Sequence, residues 1–312
     1  LVFQSATLWV LARIILPRLP GSFWTVHAFT FLAAVGSVLG LIAAVLSELA
    51  APKVSADRIS IADDGTTFSP QILNHHVHVL GESGFGKTVF LLRLIDHHVR
   101  HGMGLIFIDL KADTDTVSHI VGQCERYGRT DDLKLFDCSR PDLSVSYNVL
   151  LRGNPTEIKD KLIGSFSWEN SYYKDAAQSF LLTVIRALVY LRDNAKLSFT
   201  LEDLYQATLS PDALVALQTE LNTKGAPESL REDINQLAHY LRGRENFKEL
   251  HGLRTQIKLL IDSEFGPLLT SPTPGIDLFD CIQSHKIVYV LLDSQRYGES
   301  AQKLGKLILQ DL

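Results

Sequence analysis

The sequence predicts an α/β protein: a mostly parallel, doubly wound sheet with an all-helical insertion, preceded by an N-terminal transmembrane anchor. Three observations carry that expectation. An uncharged apolar stretch, Phe23 to Leu46, comes first. Short apolar runs then alternate with helical periodicity. From about Pro155 the period turns purely helical, until the apolar run IVYVLL at Ile287 to Leu292. These transitions divide the chain into an anchor at 1–50, a first sheet-forming part at 51–154, a helical insertion at 155–274 and a return to the sheet at 275–312.

The anchor rests on length and charge. Phe23 to Leu46 contains no charged residue, and His27 is its only ionisable group. At about 1.5 Å per residue it suffices to cross a hydrocarbon layer of roughly 30 Å. Ala33, Ala34, Gly36, Ser37 and Gly40 would let a second helix approach closely. A buried core helix ranks lower, because soluble helices of this length carry a polar face. The apolar run is also too long for a secretory signal. Leu8 to Leu16, which contains Arg13, reads equally as the remnant of an earlier span or as an interfacial segment. Arg13 and Arg18 precede the anchor, and Lys53 and Arg58 follow it, so flanking charge does not set its direction.

The sheet-forming elements follow in order. Ile59 to Phe68 alternates around Asp64-Gly65, as a hairpin does. Val77 to Leu80 is a short apolar strand. Thr88 to Arg100 has Phe90, Leu91, Leu94, Ile95 and His98 on one side, with Gly102 just past its end, and reads as a helix. Gly104 to Leu110 suits a central parallel strand, and Leu133 to Phe136 a third. In the insertion, Ala176–Leu191, Leu201–Ala207, Pro211–Leu221, Glu228–Leu241 and Leu250–Ile261 read as helices, as does Ser300 to Leu312 at the end.

Composition narrows the functional classes. The 312 residues are 46% hydrophobic and 21% charged, enough to bury a core and unlike a disordered chain. Thirty Lys+Arg against 35 Asp+Glu give a net charge of −5. That excludes a small basic protein whose whole surface grips nucleic acid, though not a local basic groove. Cys124, Cys138 and Cys281 are far apart and form no CxxC, which argues against a disulfide framework or zinc site and fits a reducing compartment. The sequence starts at Leu1 and has Met103 as its only methionine, so a fragment or processed form is expected.

The chemistry concentrates in Gly81-Glu82-Ser83-Gly84-Phe85-Gly86-Lys87-Thr88, which fits G-x-x-x-x-G-K-[ST] without mismatch. The glycines permit backbone angles and close approaches that a Cβ would obstruct. Amide N–H groups at the start of the following helix then form an anion cradle. In such a loop Lys87 reaches the β- and γ-phosphates of a nucleotide, and the Thr88 hydroxyl ligates Mg²⁺. ATP or GTP is the implied ligand, which places the C-terminal part in the cytoplasm. Hydrolysis needs a further acidic residue near the metal. Asp109, ending Ile106-Phe107-Ile108, and Asp293, ending Tyr289-Val290-Leu291-Leu292, are placed for it, but neither is followed by Glu. Capping the next element accounts for each equally well.

Two other clusters carry less. His75, His76 and His78 flank the first strand, and His97, His98 and His101 sit where a helix end favours positive charge. No carboxylate spacing completes a metal site. Arg242, Arg244 and Lys248 are interleaved with Glu245 and Glu249, as on a solvated helix face.

An apolar anchor, GESGFGKT, IFIDLKAD, a helical insertion, IVYVLLD and GKLILQDL, in that order, resemble the type IV coupling proteins, the TraD/TraG-type ATPases of conjugation and type IV secretion. Asp109-Leu110-Lys111-Ala112-Asp113, Tyr147-Asn148, Leu304-Gly305-Lys306 and Gln310-Asp311-Leu312 carry most of the likeness, which extends over nearly the whole chain. The resemblance implies an inner-membrane protein with a RecA-like motor domain similar to the FtsK and HerA translocases. It also implies a hexameric assembly that uses ATP to pass relaxase-bound DNA, or secreted proteins, to channel components. It implies that the helical insertion takes part in substrate selection. ATP and Mg²⁺ binding carries over onto Gly81 to Thr88, and a catalytic part onto Asp109. The family's Walker B strand, ending in Asp-Glu, follows the helix that here reaches Leu312, so the resemblance implies either a longer parent chain that carries it or a broken copy. Two other readings stand beside this one: a protein-secretion or chromosome-type translocase, and a non-catalytic membrane docking protein with a vestigial nucleotide site.

Overall fold

A computed structural model describes residues 34–38, 40, 58–62, 64–73 and 75–312. Most of the expected anchor, and all of Leu8 to Leu16, lie outside the described residues. Among the described residues no helix is long and apolar enough to cross a membrane. The chain divides into two units, Leu1–Val79 and Leu80–Leu312.

The first unit contains the expected hairpin. β1 (Ile59–Ser60) pairs antiparallel with β2 (Thr67–Phe68). The Asp64 carboxylate accepts the Thr66 N–H at 2.9 Å, the self-bonding by which Asp favours turns. The strand expected at Val77 to Leu80 is absent: these residues join no ladder among the described residues, and Leu80 is 78% exposed. An apolar run supplies a face to bury, but a strand exists only where a neighbour completes its hydrogen bonds.

The second unit is mixed α/β, with a small parallel sheet and many helices. α1 (Lys87–Arg100) leads into β3 (Leu105–Asp109), α2 (Thr114–Arg126) and β4 (Leu133–Asp137). The chain then makes its helical excursion and returns as β5 (Ile287–Leu291) and α9 (Ser294–Asp311). The order in the sheet is β3-β5-β4, all parallel, so the last strand enters between the first two. Its residues are buried on both faces, which is why its sequence is apolar without alternation.

The pleat sorts side chains into two cores. Leu105, Phe107, Ile287, Tyr289, Leu291, Leu133 and Leu135 face α1 and α2, meeting Ile95, Val99, Ile120 and Cys124. The alternate residues Ile106, Ile108, Val288, Val290 and Phe136 face the helical segment. Sheet and helical segment thus share one hydrophobic core.

The helices begin where the local chemistry dictates. α3 (Pro155–Ser165) starts on a reciprocal box between Asn154 and Glu157, with Pro155 in the first turn. α4 (Ser171–Ala195) is capped by Asn170 and ends at Lys196 in a left-handed conformation, so it exceeds the expected Ala176–Leu191 at both ends. Phe180, Leu181, Val184, Ile185 and Leu188 form its buried stripe. α5 (Leu201–Leu209) starts on a Thr200–Asp203 box, and α6 (Pro211–Thr223) on Ser210. α7 (Glu228–Tyr240) packs against α6, and α8 (His251–Ile261) against α5. In α9, Gly298 has φ 49° and ψ −117°, so the helix is broken four residues after it starts.

Tyr147-Asn148 and Gln310-Asp311 meet in space. The Tyr147 hydroxyl donates to Asp311 at 2.6 Å, and the buried Lys161 ammonium pairs with the same carboxylate. Asn148 donates to the Phe199 carbonyl at 2.8 Å and accepts the Leu150 N–H at 2.9 Å. These residues clasp α9 to the chain that enters the helical segment.

Candidate nucleotide site

α1 ends at Arg100 and reaches β3 through a short turn, so helix and strand run in opposite directions. The 14 residues of α1 and five of β3 span about 21 Å and about 17 Å. The loop before α1 therefore opens at the end of the sheet where β3 finishes. The register sets Asp109, Leu291 and Asp137 level with one another, with Asp293 two residues further on. The structure thus gathers Gly81–Thr88, Asp109 and Asp293 at one end of the sheet, the end where open α/β folds bind ligands.

The loop leads into a helix whose start is left open. Gly84 and Gly86 have φ of +86° and +80°, a region that costs other residues about 1–2 kcal/mol. No side chain caps the α1 N-terminus, and its first turn has no acidic residue. The positive end of the helix dipole is therefore not offset locally. Lys87 Nζ bends back to donate to the carbonyls of Gly81 at 2.7 Å and Glu82 at 2.6 Å, within the bend of the loop. Phe85 N–H donates to Glu82 at 3.3 Å and closes the turn. Thr88 is exposed in the first helical turn. Among the described residues no three His, Cys, Asp or Glu converge on a metal position.

Asp109 has a structural task. Its Oδ1 accepts the Lys111 N–H at 2.8 Å, and its Oδ2 accepts from Asp113 N–H at 3.1 Å and the Tyr289 hydroxyl at 3.2 Å. Asp113 in turn caps α2. Tyr289 is buried, and burial, reinforced by Asp109, raises its pKa above the usual phenol value. Asp293, at φ 45°, accepts from Ser139 Oγ at 3.0 Å and from the Arg296 N–H at 3.2 Å.

A third carboxylate was not anticipated. Asp137 ends β4, is buried, and accepts from Ser139 N–H and Arg140 Nε, each at 2.8 Å. The signal was present: each sheet strand ends at, or two residues before, an Asp, in IFID, LKLFD and VLLD. Beside it, burial, with Asp137 and Asp293 nearby, pushes the Cys138 thiol up to about 12. Two of the histidines bond back to their own helix. His98 Nδ1 lies 2.7 Å from the Leu94 carbonyl, and His101 Nδ1 lies 2.8 Å from that of His97.

A parallel sheet with a G-x-x-x-x-G-K-T bend at the end where its strands finish defines an α/β domain carrying a phosphate-loop motif. Within that class the chain is a distant homologue of a type 4 coupling protein. It is 25% identical over 284 residues to Type 4 coupling protein DotL of Legionella pneumophila subsp. pneumophila, a match spanning 78% of this chain and 36% of the relative. The chain thus spans about a third of that relative's length. No family model matches it.

Proposed function

We propose that the chain is the nucleotide-binding part of a membrane-anchored coupling ATPase, which recruits DNA or a DNA–protein cargo and drives it into a secretion or conjugation channel. The observation that carries this is the Gly81–Thr88 bend, an uncapped helix start with its lysine turned inward, in a chain homologous to a coupling protein. In this reading the loop N–H groups and Lys87 Nζ hold phosphate oxygens, and the Thr88 hydroxyl serves Mg²⁺. Bound ATP supplies the free energy for moving cargo. Asp109 shapes the turn at the sheet end and takes the acidic part near the metal.

The assignments that accompany this reading are an anchor at 1–50 in the bacterial inner membrane and a RecA-like domain from 51–154 and 275–312 in the cytoplasm. Residues 155–274 form the insertion that selects substrate. The partners are a relaxase with its DNA, or secreted proteins, together with channel components and further copies in a hexamer.

Lys87→Ala, titrated with a fluorescent ATP analogue and Mg²⁺, tests the site. Affinity should fall at least about tenfold, while the thermal midpoint without nucleotide stays that of the parent. Equal affinity refutes the assignment. Stimulation of hydrolysis by single-stranded DNA supports the DNA cargo, and stimulation by secreted protein alone favours the protein-translocase reading.

One observation favours a docking protein without turnover. Both oxygens of Asp109 are engaged by main-chain N–H groups, which leaves the carboxylate a turn-shaping role. Hydrolysis abolished by Lys87→Ala excludes it.

A further inference from the structure

The last turn of α1 carries His97, and His101 follows it as the capping residue. Ile95 and Val99 of the same helix face the core. At about 100° per residue, positions 97 and 101 fall on the opposite, outward side, one above the other. His97 is half-buried and His101 exposed. Their ring centroids lie 4.2 Å apart at an interplanar angle of 35°.

The local chemistry leaves both rings with a lone pair to give. His101 Nδ1 lies 2.8 Å from the His97 carbonyl. Only an N–H faces a carbonyl at that distance, so the proton sits on Nδ1 and Nε2 keeps its lone pair. Among the described residues no hydrogen bond occupies the His97 ring. Burial first, then His101, His98 and Arg100, lowers the His97 pKa. The ring is therefore neutral at neutral pH, the form that binds metals. His98 stands aside: its Nδ1 is 2.7 Å from the Leu94 carbonyl, and its ring meets that of His97 edge-on at 6.0 Å.

Two neutral imidazoles at i and i+4 on one helix face form the pair with which helices hold a metal ion. The pair supplies two ligands, so it needs no third residue, and water fills the remaining positions. The negative end of the α1 dipole favours a cation here. Arg100 opposes one, but it is exposed, where solvent screens it. Nitrogen ligands without a carboxylate select against Mg²⁺ and Ca²⁺, which take oxygen. They suit Zn²⁺, Ni²⁺ and above all Cu²⁺.

We propose that His97 and His101 chelate one divalent late transition-metal ion, copper(II) most tightly, on the outer face of the last turn of α1. The site is at the far end of α1 from the Gly81–Thr88 bend and does not depend on nucleotide.

The test uses the whole chain, freed of metal with a chelator and titrated calorimetrically with copper(II) chloride. His75, His76 and His78 are replaced by alanine in every sample so that they do not compete. Affinity should fall at least about tenfold in His97→Ala and in His101→Ala, because either change breaks the chelate. His98→Ala should leave it unchanged. Nickel(II) should bind more weakly than copper(II), and excess Mg²⁺ should displace neither. On the parent chain, copper(II) should protect His97 and His101 together from diethyl pyrocarbonate, read by mass spectrometry. That measurement decides the matter even where a variant does not fold. No binding, protection of one ring without the other, or a loss below about twofold in each single variant, the mark of an adventitious ion only, would overturn the proposal.

Discussion

Arg129 offers the sharpest test of how the sheet is supported at the end where its strands begin. It is 8% exposed, and its guanidinium fastens three segments at the opposite end from the loop. Nη1 donates to the Met103 carbonyl at 2.7 Å and more distantly, at 3.4 Å, to His98 and Val99, where α1 ends. Nη2 donates to the His285 carbonyl at 2.5 Å, ahead of β5. Nε donates to Asp132 at 2.9 Å, which also holds Lys286 at 2.6 Å. Arg129→Met keeps a stem and deletes the fork. The carbonyls of Met103 and His285 then lose a charged donor, each at about 1–3 kcal/mol. The 3.4 Å contacts add little, and Asp132 retains Lys286. The expected loss is therefore about 4 kcal/mol. In a unit of this size that corresponds to a thermal midpoint lower by about 8–16 °C. Urea unfolding should show a lower midpoint with unchanged slope. Arg129→Lys should recover less than half, because one ammonium cannot span both carbonyls. Nucleotide affinity of the folded variant should be unchanged. A loss below about 1 kcal/mol would refute the reasoning.

Further outcomes follow from the same geometry. Gly298→Ala forces a Cβ onto φ 49°, ψ −117°, and should cost about 1–3 kcal/mol by chemical denaturation, with no loss in a Ser300→Ala control. Tyr289 and Tyr147 have raised pKa values, chiefly through burial. Their protonated forms therefore stabilise the fold fully below about pH 10 and lose that contribution as pH rises beyond it. Tyr289→Phe should flatten the decline of stability above that pH, measured by urea midpoints across alkaline buffers. Asp132 has a lowered pKa, first through Lys286 and then Arg129. Its contribution is present above about pH 4 and lost as pH falls through the folded value, so Asp132→Asn should flatten the acid limb of the same profile.

Much of the architecture was legible, for identifiable reasons. IVYVLL announced the central strand because both of its faces are buried. The helices of the excursion announced themselves through apolar period; Thr200 and Ser210, which cap two of them, are further signals that the period reading did not use. α2 was overlooked although Asp113 stands at its cap and Val117, Ile120 and Cys124 form its stripe. Its signal was short and lay between two stronger strands. Val77 to Leu80 misled in the other direction, since a sequence shows an apolar face but not its partner. At the site, Gly81 to Thr88 could be read because the spacing itself encodes the bend. Asp137 could have been read from the repeated strand ending. Arg129 could not, because its partners are carbonyls brought from positions 98–103 and 285 by the fold alone.

The place of β5 bears on how the protein is made. Leu105 and Leu133 both lie beside Ile287, so neither early strand finds its neighbour until the helical excursion has been synthesised. Loop-closure entropy opposes so distant a pairing, and topologies of this kind fold slowly. Local contacts within the excursion, such as α7 on α6 and α8 on α5, shorten the effective loop once they form. On the ribosome the nascent chain must shield two unpaired strands for that whole interval, which makes it a natural client for chaperones. Mutations that loosen the helices should therefore lower the yield of folded protein more than its final stability.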